Sequence, residues 1–307
     1  MRILISTSSF GKIDSEVTNQ LRTQGFEVTL NPYGRKLKQE ESIELMKGVD
    51  AIIAGTETLN REVLSSATRL KYLCRLGVGM DNVDMDATKE MGIEVDNTPD
   101  THIKSVAELA LGGMLALLRH IHTSHLNVKN GVWKKKMGSQ LFGKTVGLIG
   151  YGKVSKYLAN LLKPFGVNLL VSDPYLNADD ITGDGVNLLS LEELCKHSDI
   201  ISLHIPYNQS NHHLINQDLL SLVKDDVQII NSSRGGLIDE DALYTFLKDR
   251  PAAGAYLDTY SVEPYQGKLV ELDNILLTPH IGTTAKETRI EMEKMAVEKV
   301  LNFFKNV

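Results

Sequence analysis

The chain has 307 residues, 42% of them hydrophobic, which is enough apolar material for compact domains with real cores. Its formal net charge of -6 supplies no basic field for a phosphate backbone, so direct nucleic-acid binding is excluded as the expected role. The apolar runs fall short of the roughly 20 residues needed to span a bilayer, and the N-terminal one is too short for a secretory signal, so the expectation is a cytoplasmic protein with no membrane partner.

Short β-branched runs alternate with amphipathic helical stretches from end to end, the pattern of βαβ units and of parallel sheets covered on both faces. Strands are predicted at residues 3–6, 27–30, 51–54, 72–75 and 93–95 with helices between them, a flavodoxin-like half. Near Thr98 and Pro99 the pattern changes to one long helix over 104–128. Its Leu109, Leu111, Met114, Leu115, Leu117 and Leu118 cover much of the circumference, so it is expected to be buried. A polar stretch over 129–144 follows, in which Lys134, Lys135 and Lys136 read as a solvated turn. A second series has predicted strands at 146–149, 168–172, 199–204, 228–231, 254–257 and 275–277, and a last helix covers 285–306. The fold class is therefore α/β, with two doubly wound parallel-sheet domains. One is flavodoxin-like, 1–97 plus 285–307; the other, 98–284, is a Rossmann domain. Cys74 and Cys195 each fall in an apolar periodic stretch and read as core thiols in a reducing compartment, not as a disulfide.

The parts of a dinucleotide site arrive in order after residue 145. A strand leads into Gly150-Tyr151-Gly152, where Gly150 permits the tight turn and Gly152 lets backbone approach a pyrophosphate. The helix beginning near Lys153 offers unpaired N–H groups and the positive end of its dipole to the phosphates. Ser155 stands where a third glycine or alanine is usual, and a serine is small enough for that packing. Asp173 ends the next predicted strand, close to the roughly 20-residue spacing expected for the acid that binds a ribose 2′-hydroxyl. A carboxylate there repels a 2′-phosphate, which favours NAD over NADP.

In open α/β sheets the ligand sits beyond the carboxyl ends of the strands. The later predicted strands end in His204, Arg234, Asp258 and His280. Turns need Asn, Asp, Gly and Ser far more than His or Arg, so this set points to chemistry. Reduction of a 2-oxo acid needs a proton donor for the carbonyl oxygen and a cation for the substrate. His280 suits the first role, with Glu263 to pair with its imidazolium and fix the ring. The Arg234 guanidinium suits the second, because it can grip a carboxylate through two parallel hydrogen bonds.

In RLGVGMDNVD (75–84), NTP (97–99), SVAELALGGMLALLR (105–119), GKTVGLIGYGKV (143–154), LHIP (203–206), NSSRGGLIDEDAL (231–243), LDTYSVEP (257–264) and TPHIG (278–282), the chain resembles the D-isomer-specific 2-hydroxyacid dehydrogenase family. Members of that family include phosphoglycerate, glycerate and hydroxypyruvate dehydrogenase-like enzymes. The resemblance implies an NAD-dependent oxidoreductase that interconverts a small D-2-hydroxy acid and its 2-oxo acid. It implies Arg234, Glu263 and His280 as the catalytic set, with His280 as general acid and base. It implies cofactor contacts at Gly150, Gly152, Lys153, Val154, Asp173, His204, Pro206, Ser232, Arg234, Asp258, His280 and Gly282. Val78, Gly79, Asn97 and Arg234 are the implied substrate-binding residues, within a substrate-binding domain made of 1–97 and 285–307. A homodimer through the NAD-binding domains is implied as well, with no metal.

The sequence departs from the family pattern at Asn208, Asp100 and Ser155. Gly55 and Thr56 occupy a loop where several phosphoglycerate enzymes carry an arginine for phosphate, which leaves a phosphorylated substrate open. The alternative reading is an NAD(H)-sensing regulator without catalysis, since the same fold serves corepressors. Among the remaining polar residues, His120 and His122 lie about 200° apart on one helix, leaving only His122 and His125 on a common face, so metal binding is not expected. His212 and His213 read as a surface loop, and Trp133 either lines the mouth of a cleft or simply packs.

Overall fold

The structure is a computed structural model that describes residues 1–181, 183 and 185–305. The chain divides into two compact units, Met1–His102 with Thr283–Val307, and Ile103–Gly282.

In the first unit β1 (Arg2–Ile5), α1 (Glu16–Thr23), β2 (Glu27–Leu30), α2 (Gln39–Leu45), β3 (Ala51–Ala54), α3 (Arg61–Ser66), β4 (Tyr72–Arg75), α4 (Met85–Glu90) and β5 (Glu94–Asn97) alternate strictly. Among the described residues they build a parallel sheet of order β2-β1-β3-β4-β5, the flavodoxin-like arrangement. Central β3 is buried at every position, as a parallel strand covered on both faces must be, whereas edge β2 is largely exposed. Side-chain caps start two of the helices: Asn60 accepts from the Val63 N–H for α3 and Asp84 from the Ala87 N–H for α4. One face of the sheet is closed by Val17 and Leu21 of α1 together with Met292, Ala296, Val297 and Val300. These last four belong to the helix that follows the second unit, called α11 below. The opposite face is closed by Met46, Val63, Leu64 and Ala87.

The second unit contains α5 (Ile103–Leu118), α6 (Ile121–Lys129), β6 (Thr145–Ile149), α7 (Lys153–Leu162), β7 (Asn168–Ser172), β8 (Val186–Leu188), α8 (Leu191–His197), β9 (Ile200–Leu203), α9 (Gln217–Leu220), β10 (Gln228–Asn231), α10 (Glu240–Asp249), β11 (Gly254–Leu257) and β12 (Ile275–Leu277). Its parallel sheet has the order β12-β11-β10-β9-β6-β7-β8, a Rossmann sheet with one further strand. The order reverses between β6 and β9, so the loops after these two strands flank the crevice where such folds bind ligands. Ala107, Ala110, Met114, Leu117 and Leu118 of α5 pack into the core that Val146, Leu148 and Tyr256 build from the sheet. The chain then returns to the first unit as α11 (Lys286–Lys305), where Lys299 Nζ donates to Asp96 at 2.5 Å and Phe303 stacks on Tyr72.

The long helix expected over 104–128 is two helices. His120 takes a left-handed conformation with φ 49, which ends α5 and starts α6 on a new axis. The strand expected at 93–95 lies at Glu94–Asn97 instead. β8 was not anticipated: it is three residues long, and its half-exposed Val-Asn-Leu pattern carries no strong period. Cys74 and Cys195 are buried free thiols, each pushed up to about 12 by burial. Of the last helix expected over 285–306, Asn306 lies outside the described residues.

Candidate active site

The glycine turn after β6 is built for close approach. Gly150 has φ 86, and a Cβ added there would stand 2.4 Å from Ile205 Cγ2 and 2.8 Å from the His204 carbonyl oxygen, so a side chain is excluded. At Gly152, the N-cap of α7, a Cβ would meet nothing within 4 Å. That open space lies at the mouth of a helix N-terminus, where a pyrophosphate fits without displacing protein atoms. Lys153 and Val154 form the first turn of α7, Lys153 exposed and Val154 half-buried. Ser155 is buried and its hydroxyl donates to the Gly150 carbonyl at 2.6 Å, so this departure braces the turn. Asp173, just beyond β7, accepts from the Tyr151 N–H at 2.9 Å and from the Tyr175 N–H at 3.0 Å. The ribose-binding candidate is thus bonded to the glycine turn itself, and these residues together form a cradle that fits a dinucleotide.

The loop after β9 carries His204 and Pro206. The His204 ring turns inward: Nε2 bonds Ser202 Oγ at 2.8 Å, while Nδ1 is sealed from solvent without a partner. Burial lowers its pKa to about 4, so the ring is neutral near pH 7 and is no acid there. Only the backbone of His204 borders the glycine turn. Pro206 is exposed, and its carbonyl accepts from Asn211 Nδ2 at 2.8 Å. Asn208, one of the departures, caps the next turn by accepting from the Ser210 and Asn211 N–H groups.

After β10, Asn231 Nδ2 donates to the Arg234 carbonyl at 2.8 Å and Asn231 Oδ1 accepts from the Ser233 N–H at 3.0 Å, which pins the loop bearing the guanidinium. Arg234 is half-buried, with Nη1 donating to the Ser233 carbonyl at 2.8 Å; Ser232 Oγ is buried without a partner. The loop after β11 supplies Glu263, and the loop after β12 supplies His280. Here the sequence expectation of a paired imidazole meets its geometry: His280 Nδ1 lies 3.1 Å and 3.0 Å from the two Glu263 carboxylate oxygens. Both side chains keep solvent access, at 40% and 37%. That access leaves the ring reachable by a substrate. Nδ1 being engaged, Nε2 is the ring nitrogen left for one.

Asp258 is fully buried at the end of β11, and its carboxylate takes the Ile281 and Gly282 N–H groups and the Thr278 hydroxyl. The Gly282 N–H therefore serves the protein's own loop. Thr278 drew no attention in the sequence, because a hydroxyl just beyond a strand looks like an ordinary turn residue.

The remaining candidates belong to the first unit. Val78 is exposed and Gly79 half-buried in the loop after β4, and Asn97 Nδ2 donates to the Val78 carbonyl at 3.0 Å. Thr98 steadies the same loop, its hydroxyl accepting from the Gly77 N–H at 2.8 Å. Beside it, after β3, Glu57 is buried: its carboxylate accepts from the Gly55 N–H and from Ser6 Oγ. Asn82 ties this loop to the first by donating to the Gly55 and Glu57 carbonyls at 3.2 and 2.6 Å. Among the described residues no group of three or more His, Cys, Asp or Glu is placed to hold a metal ion, and no helix is long and apolar enough to cross a membrane.

A Rossmann sheet with a glycine turn, an acid just beyond the next strand and a carboxylate-backed imidazole beyond a later one is the arrangement of nicotinamide-dependent oxidoreductases. Residues 111–282 match the family described as D-isomer specific 2-hydroxyacid dehydrogenase, NAD binding domain. The chain is 38% identical over 296 residues to a hydroxypyruvate reductase of Thermotoga maritima, covering 94% of each chain. It is 38% identical over 269 residues to a D-3-phosphoglycerate dehydrogenase of Methanocaldococcus jannaschii, covering 86% of this chain and 51% of that relative. The solved structure of D-lactate dehydrogenase from Aquifex aeolicus complexed with NAD and lactic acid matches with TM-score 0.85 and 28% identity, covering 100% of this chain and 96% of that one. The chain belongs to the D-isomer specific 2-hydroxyacid dehydrogenase family. It is an NAD-dependent oxidoreductase of 2-hydroxy and 2-oxo acids.

Proposed function

We propose that this enzyme interconverts a small, unphosphorylated D-2-hydroxy acid of the glycerate type and its 2-oxo acid, with His280 as the general acid and base. The observation that carries the reading is the His280–Glu263 pair, in which one ring nitrogen is held by a carboxylate and the other remains to exchange a proton with the substrate oxygen. Bound NADH supplies the hydride that C2 accepts. Within the second unit Arg234 is the cation for the substrate; within the first, the backbone of Val78 and Gly79, steadied by Asn97, is the part proposed to take a carboxylate. Gly150, Gly152, Lys153 and Val154 seat the pyrophosphate and Asp173 the ribose hydroxyls. The backbone beside His204, together with Pro206, Ser232, Asp258 and Gly282, borders the nicotinamide half.

The first unit supports an unphosphorylated substrate. At the ends of β1 and β3, next to the Val78–Gly79 loop, stands the Glu57 carboxylate, and no Lys or Arg occurs from 55 to 60. A phosphate brought there meets like charge in a poorly solvated site. The similarity to a hydroxypyruvate reductase over 94% of both chains supports the same class. A homodimer through the second unit is supported by exposed apolar side chains on α6 and the stretch after it, where Leu126, Trp133, Met137 and Phe142 are 56%, 85%, 93% and 71% exposed.

The test is turnover of hydroxypyruvate, glyoxylate, pyruvate, phosphohydroxypyruvate and branched 2-oxo acids with NADH and NADPH, followed at the nicotinamide absorbance. Hydroxypyruvate with NADH is expected to give the largest kcat/KM. Preference for the phosphorylated acid overturns the substrate assignment, and no turnover with any 2-oxo acid overturns the reading as a whole.

A further inference from the structure

The turn that carries Glu263 is exposed from Ser261 to Pro264, so the direction of its carboxylate depends on hydrogen bonds more than on packing. The peptide between Tyr260 and Ser261 is where those bonds converge. Tyr260 itself is anchored: its ring stacks on Tyr265 at 4.6 Å, and its hydroxyl lies 3.0 and 2.9 Å from the Leu257 and Thr278 carbonyl oxygens. Its N–H donates to Glu263 Oε1 at 3.3 Å, so the carboxylate follows this stretch of backbone. Two residues of the connection between β10 and α10 hold the same peptide. Gly235, next to Arg234, is pressed against it: a Cβ there would stand 1.8 Å from the Tyr260 carbonyl carbon and 2.3 Å from the Ser261 nitrogen. Glu240, the first residue of α10, accepts from the Ser261 N–H on Oε1 at 2.8 Å. Between these two the chain is fixed in turn, with Leu237 and Ile238 buried.

We propose that Glu240 is a positioning residue for the reaction: its side chain holds the Tyr260–Ser261 peptide against the Arg234 loop and so directs Glu263 at His280. This inference rests on the roles proposed for Glu263 and His280. The connection from Arg234 to Glu240 then ties the cation offered to the substrate to the carboxylate behind the acid, and a shift in one loop is felt in the other. Glu240 also stands where a negative charge favours a helix N-terminus, a role that needs the charge and not the reach of the side chain. The two roles make opposite demands. Glu240→Asp keeps the charge but withdraws the acceptor by one methylene, whereas Glu240→Gln drops the charge and keeps an acceptor oxygen at the same reach.

The test compares Glu240→Asp and Glu240→Gln, each alone and combined with Glu263→Gln, with His280→Gln in the full chain. The readouts are kcat and KM across pH for the 2-oxo acid turned over best, NADH dissociation by fluorescence, and thermal unfolding. Glu240→Asp is expected to lower kcat by about 5- to 50-fold and to move the pH profile in the direction that Glu263→Gln moves it, with NADH affinity changed by less than about threefold. Glu240→Gln is expected to keep kcat within about threefold of the parent and the profile unmoved. In the Glu263→Gln background Glu240→Asp should cost less than about twofold, because the group it acts through is gone. If Glu240→Asp does not fold, Glu240→Ala takes its place. Unchanged kcat and pH profile in Glu240→Asp, equal losses in Glu240→Asp and Glu240→Gln, a loss confined to NADH affinity, or losses that add in the double variant overturn the positioning role. If Glu240→Asp is normal while Glu263→Gln and His280→Gln are inactive, only this role is wrong. Wild-type turnover in His280→Gln overturns the underlying acid assignment instead.

Discussion

With Nδ1 engaged by Glu263, the His280 imidazole has one nitrogen left for the substrate oxygen of the proposed reaction, and Glu263 holds the direction of the ring. Replacing His280 by Gln keeps a polar side chain but removes the exchangeable proton. It is expected to lower kcat by about 10²- to 10⁴-fold while leaving NADH binding intact, measured by steady-state turnover and fluorescence titration. His204 makes a different prediction, about stability. Its pKa falls from an ordinary 6.5 to about 4 on burial, so between these values the unfolded chain takes up a proton that the folded chain refuses. Stability from this source is complete above pH 6.5 and is lost as pH falls toward 4, by up to about 1.4 kcal/mol per pH unit. Denaturant unfolding between pH 7 and 5 checks it: His204→Gln should lose less stability than the parent over that range, and equal losses would remove His204 as the cause. At this scale the candidate residues stand out in the sequence because they fall inside ordered motifs, most of them just beyond a strand. The inward turn of His204 and the three donors around Asp258 do not. The donors around Asp258 lie 20 or more residues along the chain, as Thr278 does, and no local pattern encodes that meeting.

Elements were legible where the hydrophobic period was strong. Buried β3 reads as a continuous apolar run, and β6 and β9 are apolar but for Thr145, Gly147 and Ser202, whereas β8 is short and half-exposed, and α5 breaks from α6 at His120 with neither proline nor glycine there to signal it. The contact of α5 with the sheet is close enough to test. A Cβ at Gly113 would stand 2.1 Å from Tyr256 Cδ1, in a ring that is 1% exposed. Alanine in mid-helix normally gains up to about 1 kcal/mol over glycine, but overpacking a core costs about 1–3 kcal/mol. Gly113→Ala is therefore expected to lower the midpoint of thermal unfolding, and a raised midpoint would show that Tyr256 can move aside. The join of β7 to the glycine turn makes a second test. Removing the Asp173 carboxylate takes away the acceptor for the Tyr151 and Tyr175 N–H groups, and with it the proposed ribose contact. Asp173→Ala should weaken NADH binding by at least about tenfold and narrow the preference over NADPH, read as the ratio of the two dissociation constants.

At the scale of the whole molecule, alternating strands and helices were enough to indicate two parallel sheets, because βαβ units impose parallel neighbours. Which strand lies beside which is a matter of chain crossings that the sequence does not spell out. The discontinuous first unit depends on α11, whose Met292, Ala296, Val297 and Val300 complete one face of its core. Cutting the chain before Lys286 is expected to abolish the cooperative unfolding of that unit while 103–282 still binds NADH, a result that calorimetry and titration would report separately. The same layout bears on synthesis at the ribosome, where N-terminal domains ordinarily mature first. Here the earlier-made half waits, its sheet uncovered on one side, while the dinucleotide-binding half is translated and able to fold. Its apolar strands are therefore exposed to chaperones and to aggregation until the closing helix emerges.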